Sequence, residues 1–303
     1  MGFPTLLDIS TINGSDALTG LIKETNKVCP EVRLGAARTI KGVHYKTLVR
    51  TSLPTVGFRN ANEGTAVSKS TYENRIVECF TFNPPWECDK SVADRHDKGK
   101  NAYLALEGEA VMEAAMISLG RQFYYGTAAD AKGFPGLNQM VDSTMVVDAG
   151  GTTDDTASSV WGVRFGPQHV QWVWGEEGLF ELSEISDHRV VDANGNPYLL
   201  YHQEILAYPG LQVGSIYSAA RLCNLTADSG KGLTDDLVFE LLGKFPSGTA
   251  PDVLLMSRRS LEQLRKSRTA VNMVGAPAPV PPDVSGIPIV TTDSIVNTEA
   301  LVV

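Results

Sequence analysis

The chain has 303 residues, enough for one large or two modest domains, of which 43% are hydrophobic and only 20% charged. Its net charge of −9 argues against DNA binding as the main activity, because neutralising phosphates needs clustered Lys and Arg. The acidity is uneven: residues 1–100 hold 14 Lys and Arg against 11 Asp and Glu, a balance of +3, while residues 101–303 hold 12 against 24, a balance of −12.

Residues 1–40 alternate short apolar patches with turn residues at Asn13-Gly14, Cys29-Pro30 and Gly35. Asp16 to Lys27 reads as a short helix with Ser15 or Asp16 as its N-cap. The stretch has too few apolar residues for its own core, so it is expected to lie along other elements as an ordered arm. Met1-Gly2-Phe3-Pro4 lacks a basic segment followed by an apolar run, so no signal peptide is expected. Leu6 stands where myristoylation needs Ser or Thr.

Residues 41–92 read as extended. Val43, Tyr45, Thr47 and Val49 alternate with His44, Lys46 and Leu48, the period of a strand. Gly57 to Ser70 is turn-rich and polar, and strand character resumes from Tyr72 to Phe82. This predicts a long hairpin with a roomy tip, closed by Asn83-Pro84-Pro85-Trp86, which a strand interior excludes. A polar tip has little to bury within its own subunit.

An alanine-rich helix follows over Asn101 to Arg121. Tyr103, Leu106, Ala110, Ala114 and Ile117 form one stripe, widened by Leu104, Val111 and Ala115. Glu109 and Glu113 stack at i, i+4 with like charge, so either a basic partner relieves them or both stand in water. The helix runs into Gln122-Phe123-Tyr124-Tyr125-Gly126 and then Gly133-Phe134-Pro135-Gly136-Leu137. It has no nucleophile paired with a base and no metal cage, so it reads as a beam.

From Ser159 to Cys223 the chain is strand-rich, punctuated by Gly166-Pro167 and by the turn Asp192-Ala193-Asn194-Gly195-Asn196-Pro197. One antiparallel sheet with long strands is expected here. Thr234 to Leu242 reads as a helix capped by Thr234 or Asp235, and Asp252 to Met256 as a short buried strand. Ser257 to Lys266 reads as a helix with Ser257 as N-cap. A Pro-rich loop at Pro277 to Pro282 precedes a strand at Gly286-Ile287-Pro288-Ile289-Val290.

Signals of chemistry are weak. Cys29, Cys79, Cys88 and Cys223 have no Cys-x-x-Cys spacing and read as free structural thiols of a reducing compartment. Asp228-Ser229-Gly230-Lys231-Gly232 has Leu225 where a phosphate loop needs its first Gly, and Gly232 where it needs Ser or Thr. Asn224-Leu225-Thr226 matches a glycosylation acceptor with no sign of secretion. Trp161, Trp172 and Trp174 read as core or interface packing. A metal-assisted hydrolase using His169, Asp187, His188 and His202 stays open as an alternative, although no His-x-x-x-His spacing supports it. No run is apolar for long enough to span a membrane.

The order of parts, arm, hairpin, long helix, Tyr124-Tyr125-Gly126 and Gly133-Phe134-Pro135-Gly136-Leu137, resembles the major capsid proteins of tailed double-stranded DNA bacteriophages. So does Asp252-Val253-Leu254-Leu255-Met256-Ser257-Arg258 followed by Gly286-Ile287-Pro288-Ile289-Val290-Thr291-Thr292-Asp293. The resemblance implies an α+β, Hong Kong 97-like fold. Its parts would be an N-terminal arm (1–40), an extended hairpin or E-loop (41–92), a peripheral domain with a spine helix (93–126 and 159–225) and an axial domain (127–158 and 226–303). Many members place their long peripheral strands after the Gly-x-Pro strand, whereas here the block 159–223 precedes it. Either the sheet is reached by another connectivity or the block divides differently.

The implied function is structural and not enzymatic: self-assembly into the icosahedral head shell around the genome. The implied partners are other copies, as hexamers and pentamers, with scaffold, portal and decoration proteins. DNA would be enclosed without sequence-specific binding, and no membrane, cofactor or metal is implied. The implied location is the virion, after synthesis in the bacterial host cytoplasm. Arg50, Arg59, Lys69 and Arg75 on the hairpin, and Glu109 and Glu113 on the helix, are the expected inter-subunit contacts, a basic arm and hairpin lying across an acidic neighbour. An encapsulin-type compartment or another phage structural protein, such as a tail component, stays open.

Overall fold

A computed structural model describes residues 5–13, 23, 27–178, 180–271 and 276–302. The helix expected over Asp16 to Lys27 lies almost wholly outside the described residues. In chain order the first elements are α1 (Leu6–Ile12), α2 (Glu31–Leu34), β1 (Ala37–Thr39), β2 (His44–Ser52), β3 (Thr71–Glu78), β4 (Trp86–Asp89) and α3 (Lys90–Ala93). The long helix α4 (Lys100–Tyr125) then leads through α5 (Leu137–Met140) to β5 (Val146–Asp148), β6 (Ser158–Val163), β7 (Val170–Trp174), β8 (Glu181–Leu182), β9 (Ser186–Val191) and β10 (Pro197–Gln203). The remainder is β11 (Ile205–Leu206), β12 (Pro209–Val213), β13 (Ala219–Leu225), α6 (Asp235–Gly243), β14 (Val253–Met256), α7 (Arg258–Ala270), β15 (Asp283–Val284) and β16 (Ile287–Thr291).

The six-stranded sheet has the order β15-β16-β14-β6-β13-β5. β14 and β16 run parallel, joined by α7, and β6 is antiparallel to β14 and β13. Strands buried on both faces need apolar runs, and Val253-Leu254-Leu255-Met256 is such a run, buried throughout. The Thr234 hydroxyl accepts from the Leu237 amide and the Ser257 hydroxyl from the Ser260 amide, so both expected caps start their helices. Val238 and Leu241 of α6 and Leu264 of α7 close one face of this sheet.

The strand-rich block does not form one sheet. β6 and β13 join the six-stranded sheet, β7 pairs with both β1 and β12, β10 pairs with both β4 and β9, and β8 pairs with β11. Period-two patterning marks a strand without naming its partner, and two turns divert the chain between sheets. One is Gly166-Pro167. The other is Gly214, where a Cβ would come within 2.2 Å of the Gln168 carbonyl oxygen. Trp86–Asp89, immediately after the two prolines, is a strand that the sequence reading passes over.

The expected beam is there, and longer than expected. Its buried face carries Leu104, Ala115, Leu119, Gln122 and Phe123, whereas Ala110 and Ala114 of the expected stripe are exposed. Tyr103, Leu104 and Ala115 of the expected stripe are buried and Leu106, Val111 and Ile117 half-buried, so the periodicity errs only at the alanines, which support more than one apolar stripe. The aromatic end enters the central core. Phe123 stacks on Trp172 at 5.4 Å between ring centroids, and Tyr124 tilts against Trp161 at 6.0 Å. The three tryptophans are therefore core residues.

The helix stops where Gly126, at φ +53°, meets Gly136 backbone to backbone. A Cβ on Gly126 would lie 2.0 Å from the Gly136 amide nitrogen, and one on Gly136 would lie 2.4 Å from that of Gly126. Gln122 Nε2 donates to the Phe134 carbonyl at 2.6 Å and pins the loop. This contact explains why the segment reads Tyr-Tyr-Gly and then Gly-Phe-Pro-Gly: only a residue without a side chain permits it.

Candidate intersubunit surface

The hairpin has a buried root and an unburied body. β2 pairs with β3 from His44 opposite Glu78 to Ser52 opposite Thr71. At the root, Tyr45 donates to Gln212 Oε1, and Val77 packs with Ile40 and Val173. The Phe80 and Phe82 amides donate to the Pro209 and Ala207 carbonyls, at 2.9 and 2.8 Å. Beyond the root no described residue covers it, and every residue from Arg50 to Lys69 is exposed.

The expected polar character of the tip is only half correct. Leu53, Val56, Phe58 and Val67 are 71%, 87%, 110% and 99% exposed, and Leu48, Tyr72 and Ile76 extend the apolar surface along the strands. Four large apolar side chains on one uncovered loop mark an interaction surface. The signal was present in the sequence as isolated apolar residues inside a Gly- and Asn-rich stretch, which reads as a loop when composition is averaged.

The predicted site residues fall in two places. Arg50 lies over the Tyr72 ring at 5.6 Å, Arg75 is 3.9 Å from Glu73, Arg59 donates to the Glu63 carbonyl at 2.9 Å, and Lys69 is exposed in the tip. They are spread along the hairpin and do not converge. Glu109 and Glu113 on α4 are brought together by Lys23 of the same chain, at 2.7 and 3.1 Å. That cation relieves the like-charge pair from within, and the Glu109 side chain keeps 60% of its surface open. Beside the exposed alanine flank of α4 runs a groove of about 610 Å³, lined by Ala114, Ile117, Arg121, Ala128, Val296 and Ala300.

The geometry does not favour the hydrolase alternative. His188 and His202 face each other with ring centroids 4.8 Å apart, but Asp187 binds Lys90 Nζ at 2.5 Å and His169 bonds the Ser218 hydroxyl near another sheet. Among the described residues no group of three or more His, Cys, Asp or Glu is arranged to hold a metal ion. All four thiols are free, and burial pushes those of Cys79 and Cys88 up to about 11, so they are not activated nucleophiles. Among the described residues no helix is long and apolar enough to cross a membrane.

Two buried clusters hold the rest of the chain against α4. Arg221 donates to Glu299 Oε2 at 3.0 Å and to Ser159 Oγ at 3.0 Å, while Tyr125 Oη donates to Glu299 Oε1 at 2.6 Å. Burial pushes Tyr125 far above the usual phenol range. The second cluster is Glu31, fully buried, with its carboxyl beside Thr292, Tyr124 and Ser294. Neither cluster is visible in the sequence, since its members are far apart, Glu31 and Thr292 by 261 residues.

Solved structures share this architecture. A chain from the near-atomic structure of bacteriophage Epsilon15 is 19% identical, with 99% of this chain and 97% of that chain covered, at a TM-score of 0.73. A chain from the capsid of Myoviridae phage XM1 is 10% identical, with 71% of this chain and 98% of that chain covered, at a TM-score of 0.50. The fold is thus the Hong Kong 97-like fold of phage capsid proteins. The model of one family, described as major capsid protein GP7, matches residues 15–303, and the chain belongs to that family. No curated protein matches the sequence. The chain is a structural shell protein of a phage capsid, and the encapsulin, tail-component and hydrolase alternatives are not favoured.

Proposed function

We propose that copies of this chain assemble as hexamers and pentamers into the icosahedral head, each hairpin lying across the body of the next subunit. The observation that carries the reading is the uncovered hairpin, whose apolar tip has nothing to bury against in its own subunit. Residues 41–80 hold six Lys and Arg against three Glu, which suits the acidic body formed by residues 101–303. Arg50, Arg59, Lys69 and Arg75 contact the neighbour, and the open face of Glu109, with Glu113 behind it, accepts a neighbouring cation. The arm (1–40), hairpin, peripheral and axial parts divide the chain as the resemblance implies. The sheet partners favour counting β6 and β13 with the axial part. The role needs no catalysis. A scaffold guides closure, a portal occupies one vertex, decoration proteins bind outside, and the acidic shell encloses DNA without reading its sequence. Synthesis takes place in the bacterial host cytoplasm.

Negative-stain microscopy of the purified protein, alone and with its scaffold, tests this. Shells, sheets or capsomer rings are expected, and their loss on replacing residues 53–70 by a short Gly-Ser turn. A protein that is monomeric at every concentration, with scaffold present, overturns it.

A further inference from the structure

β9 is the outer strand of the β4-β10-β9 sheet, paired only with β10 among the described residues and exposed along most of its length. The Asp192 amide donates to the Asn196 carbonyl at 2.9 Å, so residue 192 turns its backbone toward the hairpin partner. Backbone direction alternates along an antiparallel strand, so Val190, His188 and Ser186 also face β10. Asp187, Arg189 and Val191 therefore point their N–H and C=O groups outward. Pro197, opposite Val191, fits this phase because it has no N–H to give. No Lys, Pro or bulge protects the edge, the usual devices against strand addition.

We propose that β9 pairs antiparallel with β9 of a second copy about a twofold axis at His188. Only the outward-facing residues can form the ladder, which limits the register. An axis at Asp187 sets Asp187 against Asp187, and an axis at Arg189 sets Arg189 against Arg189. An axis at His188 places Asp187 of each copy opposite Arg189 of the other, with hydrogen-bonded backbone pairs on both sides. Val191, 64% exposed, then meets Ile185, 45% exposed. Asp187 and Arg189 project from the same face, so the two ion pairs lie side by side. Lys90 already binds one Asp187 oxygen, and a carboxylate has further acceptor sites for the guanidinium. The occupant is a second copy because the edge is complementary to itself in charge. One strand pair buries less than the roughly 1,200 Å² of a self-sufficient interface. The contact therefore rests on the shell reading, in which other contacts hold the copies together.

The test is a disulfide at the axis. Residues opposite each other in a non-hydrogen-bonded antiparallel pair have Cα atoms about 4.5 Å apart, within reach of an S–S bond. Shells of His188→Cys, oxidised mildly and run on a non-reducing gel, are expected to yield covalent dimers where wild-type shells yield none. Adding Arg189→Asp, which sets Asp against Asp187, is expected to cut the dimer yield at least tenfold, and Arg189→Lys to keep it. Shells that form without the cross-link overturn the inference, whether the edge is open or holds a different protein, and leave the shell reading intact. Equal yields from the Asp and Lys variants overturn the charge register. Failure of the wild-type chain to form shells removes the shell reading and this contact with it.

Discussion

Replacing Glu31 by Gln is expected to stabilise the subunit at neutral pH. The carboxyl is fully buried where α2, α4 and the segment after β16 meet, and among the described residues no Lys or Arg faces it there. Burial pushes its pKa up, and the Thr292, Tyr124 and Ser294 hydroxyls offset only part of that. A folded-state value above the unfolded one means that the folded chain holds the proton more tightly. The contribution is therefore best below the ordinary carboxylate range, declines as pH rises from there to the folded value, and is level above it. Glutamine keeps an oxygen for Thr292 Oγ1 and adds an N–H that can donate to the buried hydroxyls of Tyr124 and Ser294 beside it. Relief of an uncompensated buried polar group amounts to about 1–3 kcal/mol, or about 2–6 °C in Tm for a chain of this size. Thermal unfolding of unassembled wild-type and Glu31→Gln subunits from pH 4 to pH 8 measures it. The two should converge near pH 4 and separate toward pH 8, with the Gln variant the more stable. A Gln variant that is less stable at pH 8, or a difference that does not change with pH, refutes the reasoning.

Other substitutions address separate parts of the fold. Glu299→Ala leaves Arg221 buried without its carboxylate and is expected to cost about 3–5 kcal/mol in denaturant unfolding, with the C-terminal segment first to lose protection in hydrogen exchange. Gly136→Ala drives a methyl into the backbone of Gly126 and is expected to lower stability by roughly 1–3 kcal/mol, visible as a lower Tm. Phe58→Asp should leave subunit stability within about 0.5 kcal/mol of wild type while abolishing assembly in light scattering. A large stability loss would show that the tip packs within its own subunit. Lys23→Ala should change the Tm little, and any change should shrink in high salt, because both ends of that bridge reach solvent.

Much of the architecture was legible in the sequence, for local reasons. The beam, the hairpin, the caps at Thr234 and Ser257 and the strand at Ile287 follow from spacing and short-range chemistry, which one segment contains entirely. What the sequence hid depends on distant partners. The sorting of 159–223 among four sheets is decided by which edge each strand finds. The exposure of Ala110 and Ala114 follows from what packs on the other side of α4. Glu31 and Glu299 look like surface acids until Thr292 and Arg221 are placed beside them. The basic residues of the hairpin could be named because charge is countable, and the apolar tip was missed because four large apolar side chains among the eighteen residues 53–70 do not shift an average.

The two buried clusters and the bare hairpin belong to one argument. A subunit that lends an uncovered apolar loop to a neighbour must keep its own fold without that loop's burial. The core supplies this: Phe123, Trp161, Trp172 and Trp174 meet at the end of α4, and Glu31 and Glu299 tie the arm and the C-terminal segment to the same helix. α4 is thus the element against which both ends of the described chain are held, and the hairpin root at Tyr45, Val77 and Phe82 is fixed to the strands behind it. Strain arriving through the hairpin reaches β7 and β12 before it reaches α4. Substitutions at the tip should therefore change assembly without changing the fold, and substitutions at Glu31, Gly136 or Glu299 should change the fold before they change assembly.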